Sequence, residues 1–414
     1  MQKKSVRDIS VAGRRVIMRV DFNVPIEAGR ITDDTRVQAS LPTIRYLLAQ
    51  GVNGLILMSH LGRPKGKGYE ADFSLRPVAA HLAGLLGRPV GFAADCLKAD
   101  AEVAALKPGD VLMLENTRFY KEEEGKAKTE GLSDEEAAAK KKEMKEKQKA
   151  MAQKLASYAE VYVNDAFGSA HRAHASTAVI CKYMTQNVAG FLMEKEIEYL
   201  GKATGSPERP FIAIIGGAKV SGKLEVLQNL MKKVDAILIG GGMAYTFLKA
   251  MGHDVAKSLV EEELVATAKE TLAAAKAAGV KFLLPVDNVA ADKFAADAQT
   301  RVVGNDIPAG WMALDIGPKT CALYAGEIRQ AKTVVWNGPM GCFEMAPFAE
   351  GTLSICRALA ASRAVSIIGG GDSVSAVNQS GLADKMTHIS TGGGASLEFL
   401  EGKALPGVAS LGDK

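Results

Sequence analysis

In the first half of the chain, cationic side chains gather where apolar runs end. Arg19 and Asp21-Phe-Asn23 close the run Val16-Ile-Met-Arg-Val20, and Ser59-His-Leu-Gly-Arg-Pro64 follows Leu55-Ile-Leu-Met58. Glu115-Asn-Thr-Arg118 follows Val111-Leu-Met-Leu114, and Asn164-Asp165, continuing to His171-Arg-Ala-His174, follows Val161-Tyr-Val163. Arg36 comes after the acidic turn Thr32-Asp-Asp34. A planar guanidinium matches carboxylate and phosphate oxygens, and histidine can donate to the same atoms. If the runs are strands of one sheet, these groups converge on a single crevice suited to a small polyanion. The competing reading is a structural ion-pair network with Asp21, Glu115 and Asp165 as partners.

The second half offers glycine instead. Phe211-Ile-Ala-Ile-Ile215 precedes Gly216-Gly217, and Ala236-Ile-Leu-Ile239 precedes Gly240-Gly-Gly242. Val365-Ser-Ile-Ile368 precedes Gly369-Gly-Gly371, and Thr387-His-Ile-Ser-Thr391 precedes Gly392-Gly-Gly394. Main chain without side chains lets N–H groups approach an anion, although tight strand-to-helix turns would use the same residues. Gly217-Ala-Lys-Val-Ser-Gly-Lys223 matches G-x-x-x-x-G-K, but Leu224 stands where a P-loop needs Ser or Thr for magnesium. A dinucleotide fingerprint fails as well, with Tyr245 and Val374 where the third small residue belongs. What survives is a set of phosphate cradles with Lys219 and Lys223, and Asp372 as the magnesium ligand, since carboxylate and phosphate oxygens suit that hard cation.

The elements that must position these groups alternate. Apolar strand-like runs, including Phe282-Leu-Leu284 and Thr333-Val-Val-Trp336, are separated by longer helical patterns, which predicts βα units and mostly parallel sheets. Irregular spacing of the glycine clusters argues against a short repeat. Leu192, Met193, Ile197 and Leu200 recur at helical spacing before the breaker stretch Gly201 to Pro207, so a helix is expected to join two halves. The expected fold is α/β, with two doubly wound, Rossmann-like parallel-sheet domains and a linking helix. Residues 133–160, with Ser133 and Glu136 at capping-box spacing and charges of both signs at i,i+4, read as a solvated helix rather than a lysine-rich nucleic-acid contact.

Composition excludes other classes. At 414 residues the chain is long enough for two cores, and a net charge of +4 from 51 basic and 47 acidic residues calls for neither nucleic acid nor membrane. No apolar run reaches the length of a transmembrane helix and Met1 to Arg7 has no signal-peptide core, so a cytoplasmic location is expected. Five scattered cysteines without a Cys-x-x-Cys pair read as free thiols, and six histidines without His-Glu-x-x-His give no zinc site.

An anion crevice in one half and a nucleotide-like pocket in the other are what a kinase that closes on its substrates requires. The sequence resembles phosphoglycerate kinase from end to end. The motifs that carry the resemblance are Arg19-Val-Asp-Phe-Asn-Val-Pro25, Ser59-His-Leu-Gly-Arg-Pro64, Asn164-Asp-Ala-Phe-Gly168 with Ala170-His-Arg-Ala-His174, and Gly216-Gly-Ala-Lys-Val220. Gly240-Gly-Gly-Met-Ala244, Trp336-Asn-Gly-Pro339, Gly369-Gly-Gly-Asp372 and Ser390-Thr-Gly-Gly-Gly-Ala-Ser396 complete the set.

The resemblance implies an N-terminal domain over residues 1–189, with the tail from about 405 to 414 packing back on it. It would bind 3-phosphoglycerate or 1,3-bisphosphoglycerate through Asp21, Phe22, Asn23, Arg36, His60, Leu61, Gly62, Arg63, Arg118 and Arg172. The linking helix would occupy residues 190–204. A domain over residues 205–404 would bind ADP or ATP with Mg2+ through Gly217, Ala218, Lys219, Lys223, Gly240, Gly241, Gly242, Ala313, Leu314, Asn337, Pro339, Glu344, Gly370, Gly371, Asp372 and Ser373, with Asp372 on the metal. Arg36, Lys219 and the N–H groups of Gly371 and Gly394 are expected to be catalytic. A monomer is the family expectation. Gly222 departs from the family, which commonly has Asp there; Ala313 and Cys342 replace the usual Gly and Val. An active kinase, a weakened relative kept as a binding protein on account of Gly222, and a P-loop NTPase are therefore the readings to separate.

Overall fold

Each apolar run of the first half becomes a strand buried along its whole length, which requires cover on both faces. The computed structural model describes residues 2–414, and its first unit comprises residues up to Glu198 together with Ala404–Lys414. Six strands form its sheet: β1 (Val16–Arg19), β2 (Leu55–Met58), β3 (Gly91–Ala93), β4 (Val111–Leu114), β5 (Val161–Asn164) and β6 (Asn187–Ala189). All neighbours are parallel, in the order β3-β4-β2-β1-β5-β6. Helices α1 (Thr35–Ala49), α2 (Arg76–Leu86) and α3 (Asp134–Ala156) lie in the connections. The strand order reverses direction at β1, where ligands bind in open sheets of this kind. Register pairs Arg19 with both Met58 and Asn164, so the three loops that follow leave from one edge.

Helix α3 has the expected capping box, with Ser133 Oγ accepting from Glu136 N–H and the Glu136 carboxylate accepting from Ser133 N–H. It is not solvated throughout. Met144, Gln148, Met151, Leu155 and Ala156 are buried on one face, while Lys145, Glu146, Lys147 and Lys149 keep the other face charged and exposed.

The second unit, Tyr199–Lys403, is built the same way. Helix α4 (Phe191–Gly205) runs through the division between the units. Strands β7 (Phe211–Ile215), β8 (Ala236–Ile239), β9 (Lys281–Leu283), β13 (Thr333–Asn337), β14 (Val365–Gly369) and β15 (His388–Ile389) form a second parallel sheet in the order β9-β8-β7-β13-β14-β15. An antiparallel sheet not anticipated from the pattern adds β10 (Asn288–Ala291), β11 (Thr300–Val303) and β12 (Met312–Ile316), ordered β11-β10-β12. Helices α5 (Leu224–Leu230), α6 (Met243–Ala250), α7 (Pro318–Gln330), α8 (Glu350–Ala361), α9 (Gly371–Gln379) and α10 (Gly394–Leu400) follow strands or loops of the sheet. The architecture is two α/β domains, each on a parallel sheet.

Residues 404–414 are woven into the first unit. Lys4 N–H donates to Gly412 O at 2.8 Å, Gly412 N–H to Asn187 O at 2.9 Å, and Gly407 N–H to Ala170 O at 2.8 Å. Among the described residues, no helix is long and apolar enough to cross a membrane, and the five cysteines are free thiols.

Candidate active site

Loops after β1, β2, β4 and β5 build a polar cluster in the first unit. Arg36 Nη1 lies 3.2 and 3.1 Å from the two carboxylate oxygens of Asp21 and donates to Asn23 O at 3.2 Å. Asn23 Oδ1 in turn accepts from Gly62 N–H at 2.8 Å, which holds the Leu61-Gly-Arg63 turn. A cavity of 860 Å3 is lined by Arg63, Arg118, His171, Arg172 and His174, with Lys126 and Lys128 at its margin. Arg118 donates through Nη1 to Gly62 O at 2.9 Å, and its Nε is 3.4 Å from Glu124 Oε1. Its Nε and Nη2 are buried without a hydrogen-bond partner. Burial pulls that guanidinium down to about 10. A buried donor without an acceptor is costly, and Nη2 is left with that capacity unused.

The histidines here are neutral. Burial first, then the charges of Arg118, Arg19 and Arg172, push His174 down to about 2, and its Nδ1, 3.9 Å from Glu123 Oε1, makes no hydrogen bond. Burial and Arg19 hold His60 well below the usual imidazole range. His171 is lowered by burial and Arg172, whose Nε contacts its Nε2 at 3.1 Å. Such rings donate N–H groups to an anion without adding charge.

In the second unit the glycine loops enclose a cavity of 500 Å3, lined by Gly217, Ala218, Gly241, Gly242, Ala313, Leu314, Pro339, Glu344 and Asp372. Lys257, Leu259, Phe294 and Met312 also line it, so one wall of the cavity is apolar. Lys223 Nζ donates to Asn337 Oδ1, and burial lowers its pKa while Asp372 and Glu401 oppose the shift. Gly371 and Gly394 are the first residues of α9 and α10, where backbone N–H groups have no partner within the helix. Asp372 and Glu344 are the carboxylates at this cavity, and no cluster of three His, Cys, Asp or Glu side chains exists among the described residues. Magnesium held by one carboxylate and by phosphate oxygens fits that donor set.

The protein-family profile described as phosphoglycerate kinase matches residues 6–403. Phosphoglycerate kinases of Moorella thermoacetica (56% identical, covering 100% of both chains) and Chloroherpeton thalassium (54%, 99% of both) are similar over their whole length. The chain belongs to the phosphoglycerate kinase family. It is thus a kinase, a phosphotransferase. Solved phosphoglycerate kinases from Coxiella burnetii (TM-score 0.86, 38% identity, covering 99% of this chain and 98% of that one) and Pyrococcus horikoshii (TM-score 0.81, 33%, 99% and 98%) share its fold.

Within this phosphoglycerate kinase fold, the positions expected from sequence fall into two groups. Asp21, Asn23, Arg36, Gly62 and Arg118 are tied together by hydrogen bonds, and Arg63 and Arg172 line the cavity that Arg118 enters. The side chains of Phe22 and Leu61 lie in the core instead. Of the ion-pair partners considered, only Asp21 pairs with an arginine; Glu115 accepts from Ser74 Oγ and Leu75 N–H, and Asp165 from Met193 N–H. Arg19 is fully buried and supports the site from behind.

Several glycines serve packing rather than ligand approach. A Cβ on Gly216 would lie 2.1 Å from Pro339 O, and one on Gly240 2.5 Å from Met340 Sδ. Gly240 therefore sits behind the cavity, not in it. The Gly217–Lys223 loop is no phosphate cradle of the P-loop kind either. Glu261 Oε2 already accepts from Val220 N–H at 2.6 Å and Ser221 N–H at 3.0 Å, while Ser221 Oγ donates to Glu261 Oε1 at 2.6 Å. Lys219 is exposed on this loop, and Ser373 Oγ accepts from Gly338 N–H at 2.6 Å. Glu261, Lys257, Leu259 and Phe294 were not singled out in the sequence, where they belong to no motif.

Proposed function

We propose that the chain transfers a phosphoryl group reversibly between 1,3-bisphosphoglycerate and ADP, giving 3-phosphoglycerate and ATP, the ATP-forming step of glycolysis. The observation that carries the reading is the buried Arg118 guanidinium, whose Nη2 makes no hydrogen bond, in a cavity lined by Arg63, Arg172 and two neutral histidines. In this assignment residues 1–189 with 405–414 hold the three-carbon acid through Asp21, Asn23, Arg36, His60, Arg63, Arg118 and Arg172. Residues 205–404 hold the nucleotide, with residues 190–204 as the helix between them.

The chemistry follows from the residue types. In the direction that consumes ATP the nucleophile is a carboxylate, ionised near neutrality because such acids titrate at about 4, so no general base is needed. What the reaction needs is cancellation of repulsion between two anions and stabilisation of charge on the group in transfer. Arg36, Lys219 and the N–H groups of Gly371 and Gly394 supply it. Asp372 would hold magnesium with the nucleotide, and the ion when bound offsets phosphate charge. Lys223, fixed by Asn337, and the apolar wall of Leu259, Phe294 and Ala313 orient the nucleotide. An acyl phosphate also demands that water be kept out during transfer. The location we propose is cytoplasmic, and the working state a monomer acting on small molecules alone.

Magnesium-dependent consumption of ATP in the presence of 3-phosphoglycerate tests the assignment. A well-folded protein that shows no turnover would overturn it, and ATP hydrolysis without the acid would point to the P-loop reading.

A further inference from the structure

Arg19 is a fully buried guanidinium at the end of β1, and each of its three nitrogens contacts a protein group. Nη1 donates to Val20 O, Nε donates to Ser176 Oγ at 2.8 Å, and Nη2 lies 3.0 Å from His60 Nδ1. Arginine has donors only and keeps its proton, so Nδ1 of His60 must be the acceptor. The proton of the neutral ring then resides on Nε2.

The charge behind this arrangement is Glu123, which has no solvent exposure. Ser176 Oγ donates to Glu123 Oε1 and Ser176 N–H donates to Oε2 at 3.0 Å. The serine hydroxyl thus accepts from Arg19 and donates to Glu123, giving a continuous path from carboxylate to hydroxyl to guanidinium to imidazole. A buried cation unmatched by an anion would be costly, and Glu123 meets that need one side chain removed. Helix α3 holds Glu123 in turn. Gln148 Nε2 donates to Glu123 O and to Ala173 O, both at 3.1 Å. A Cβ at Gly125 would fall 2.4 Å from the Gln148 amide, so the chain closes tightly over it.

We propose that Glu123, acting through Ser176 and Arg19, is a positioning residue that locks His60 in its Nε2–H tautomer, offering an uncharged N–H donor to the acid substrate. The substrate half of this statement rests on the assignment of the three-carbon acid to the first unit. The tautomer half does not. Fixing the proton on one nitrogen lets His60 donate to a phosphate or carboxylate oxygen without the reorganisation a free ring would undergo.

The test is 15N NMR of histidine-labelled full-length protein without ligand, together with steady-state kinetics. The wild-type protein should show His60 with a protonated Nε2 and an unprotonated Nδ1 from pH 6 to 8. Ser176→Ala and Glu123→Gln should shift those resonances towards a mixture of tautomers. They should also raise KM for 3-phosphoglycerate roughly tenfold, the scale of one charge-assisted hydrogen bond, with KM for ATP unchanged. A protonated Nδ1 in the wild-type protein overturns the proposal without need of any variant, as do His60 resonances indifferent to both substitutions. A tautomer that shifts while KM for the acid stays constant upholds the positioning and removes His60 from the substrate contacts.

Discussion

Arg36 and Asp21 are held together through one guanidinium nitrogen, Nη1 lying 3.2 and 3.1 Å from the two carboxylate oxygens, while the Arg36 side chain remains 38% exposed. The pair orients the cation without burying it, which leaves charge for a ligand. Arg36→Ala is expected to lower kcat by about two to three orders of magnitude with little change in KM for ATP, because the lost interaction belongs to the transition state. Lysine should not rescue it, since an ammonium that takes the Asp21 contact has no second nitrogen to offer a ligand. Steady-state kinetics with both substrates varied decides this; an unchanged kcat removes Arg36 from the catalytic set.

The clasp between Glu261 and the Val220-Ser221 backbone makes the loop bearing Lys219 depend on a residue 40 positions away. Here the family's usual Asp at 222 is glycine, and Glu261 is the carboxylate bound to the loop. Glu261→Gln should loosen the loop and raise KM for ATP several-fold while KM for 3-phosphoglycerate is unchanged. Nucleotide titration by calorimetry should show the same loss.

Asp165 is fully buried, one oxygen accepting from Met193 N–H at 3.1 Å and the other without a partner, and burial lifts its carboxyl from 3.8 to about 7. Between those values the native state binds more protons than the unfolded chain. Stability from this group is therefore full below the unfolded value of 3.8, is lost as pH rises through about 7, and is flat well above it. Asp165→Asn should flatten the change in unfolding free energy between pH 5.5 and 7.5 by about 2 kcal/mol. Asp315, raised to about 7 by burial, contributes in the same sense, so some slope should remain. Denaturant unfolding at the two pH values gives the comparison.

Gly407 lies where a Cβ would meet Ala170 Cα at 2.9 Å and Asn164 Nδ2 at 3.2 Å. Gly407→Ala must push the 404–414 segment away from the loop that carries His171 and Arg172. A loss of about 1–3 kcal/mol is expected, with a higher KM for 3-phosphoglycerate and no change for ATP. Thermal unfolding and kinetics should move together; a variant with wild-type values for both would show that the segment is not seated this closely.

The parallel strands were legible because each is a short unbroken apolar run, as in Phe211–Ile215. The antiparallel sheet was not, since Thr300–Val303 is largely exposed and Asn288–Ala291 is rich in alanine, so neither carries a hydrophobic signal. The buried face of α3 could have been read from Met144, Gln148, Met151 and Leu155 at helical spacing, but the surrounding lysines and glutamates masked it. Glycine identity alone could not separate Gly217, which lines the cavity, from Gly216, which is pressed against Pro339 O. That distinction is set by a segment more than a hundred residues away, as is the contact of Lys223 with Asn337.

The weaving of residues 404–414 into the first unit imposes an order on biogenesis. Residues 199–403 form one continuous stretch and can complete their sheet as they leave the ribosome, whereas the bonds from Gly412 to Lys4 and Asn187 must wait until that stretch has been synthesised. The half translated first is therefore the half finished last, and until then the loop bearing His171 and Arg172 lacks its seat against Gly407.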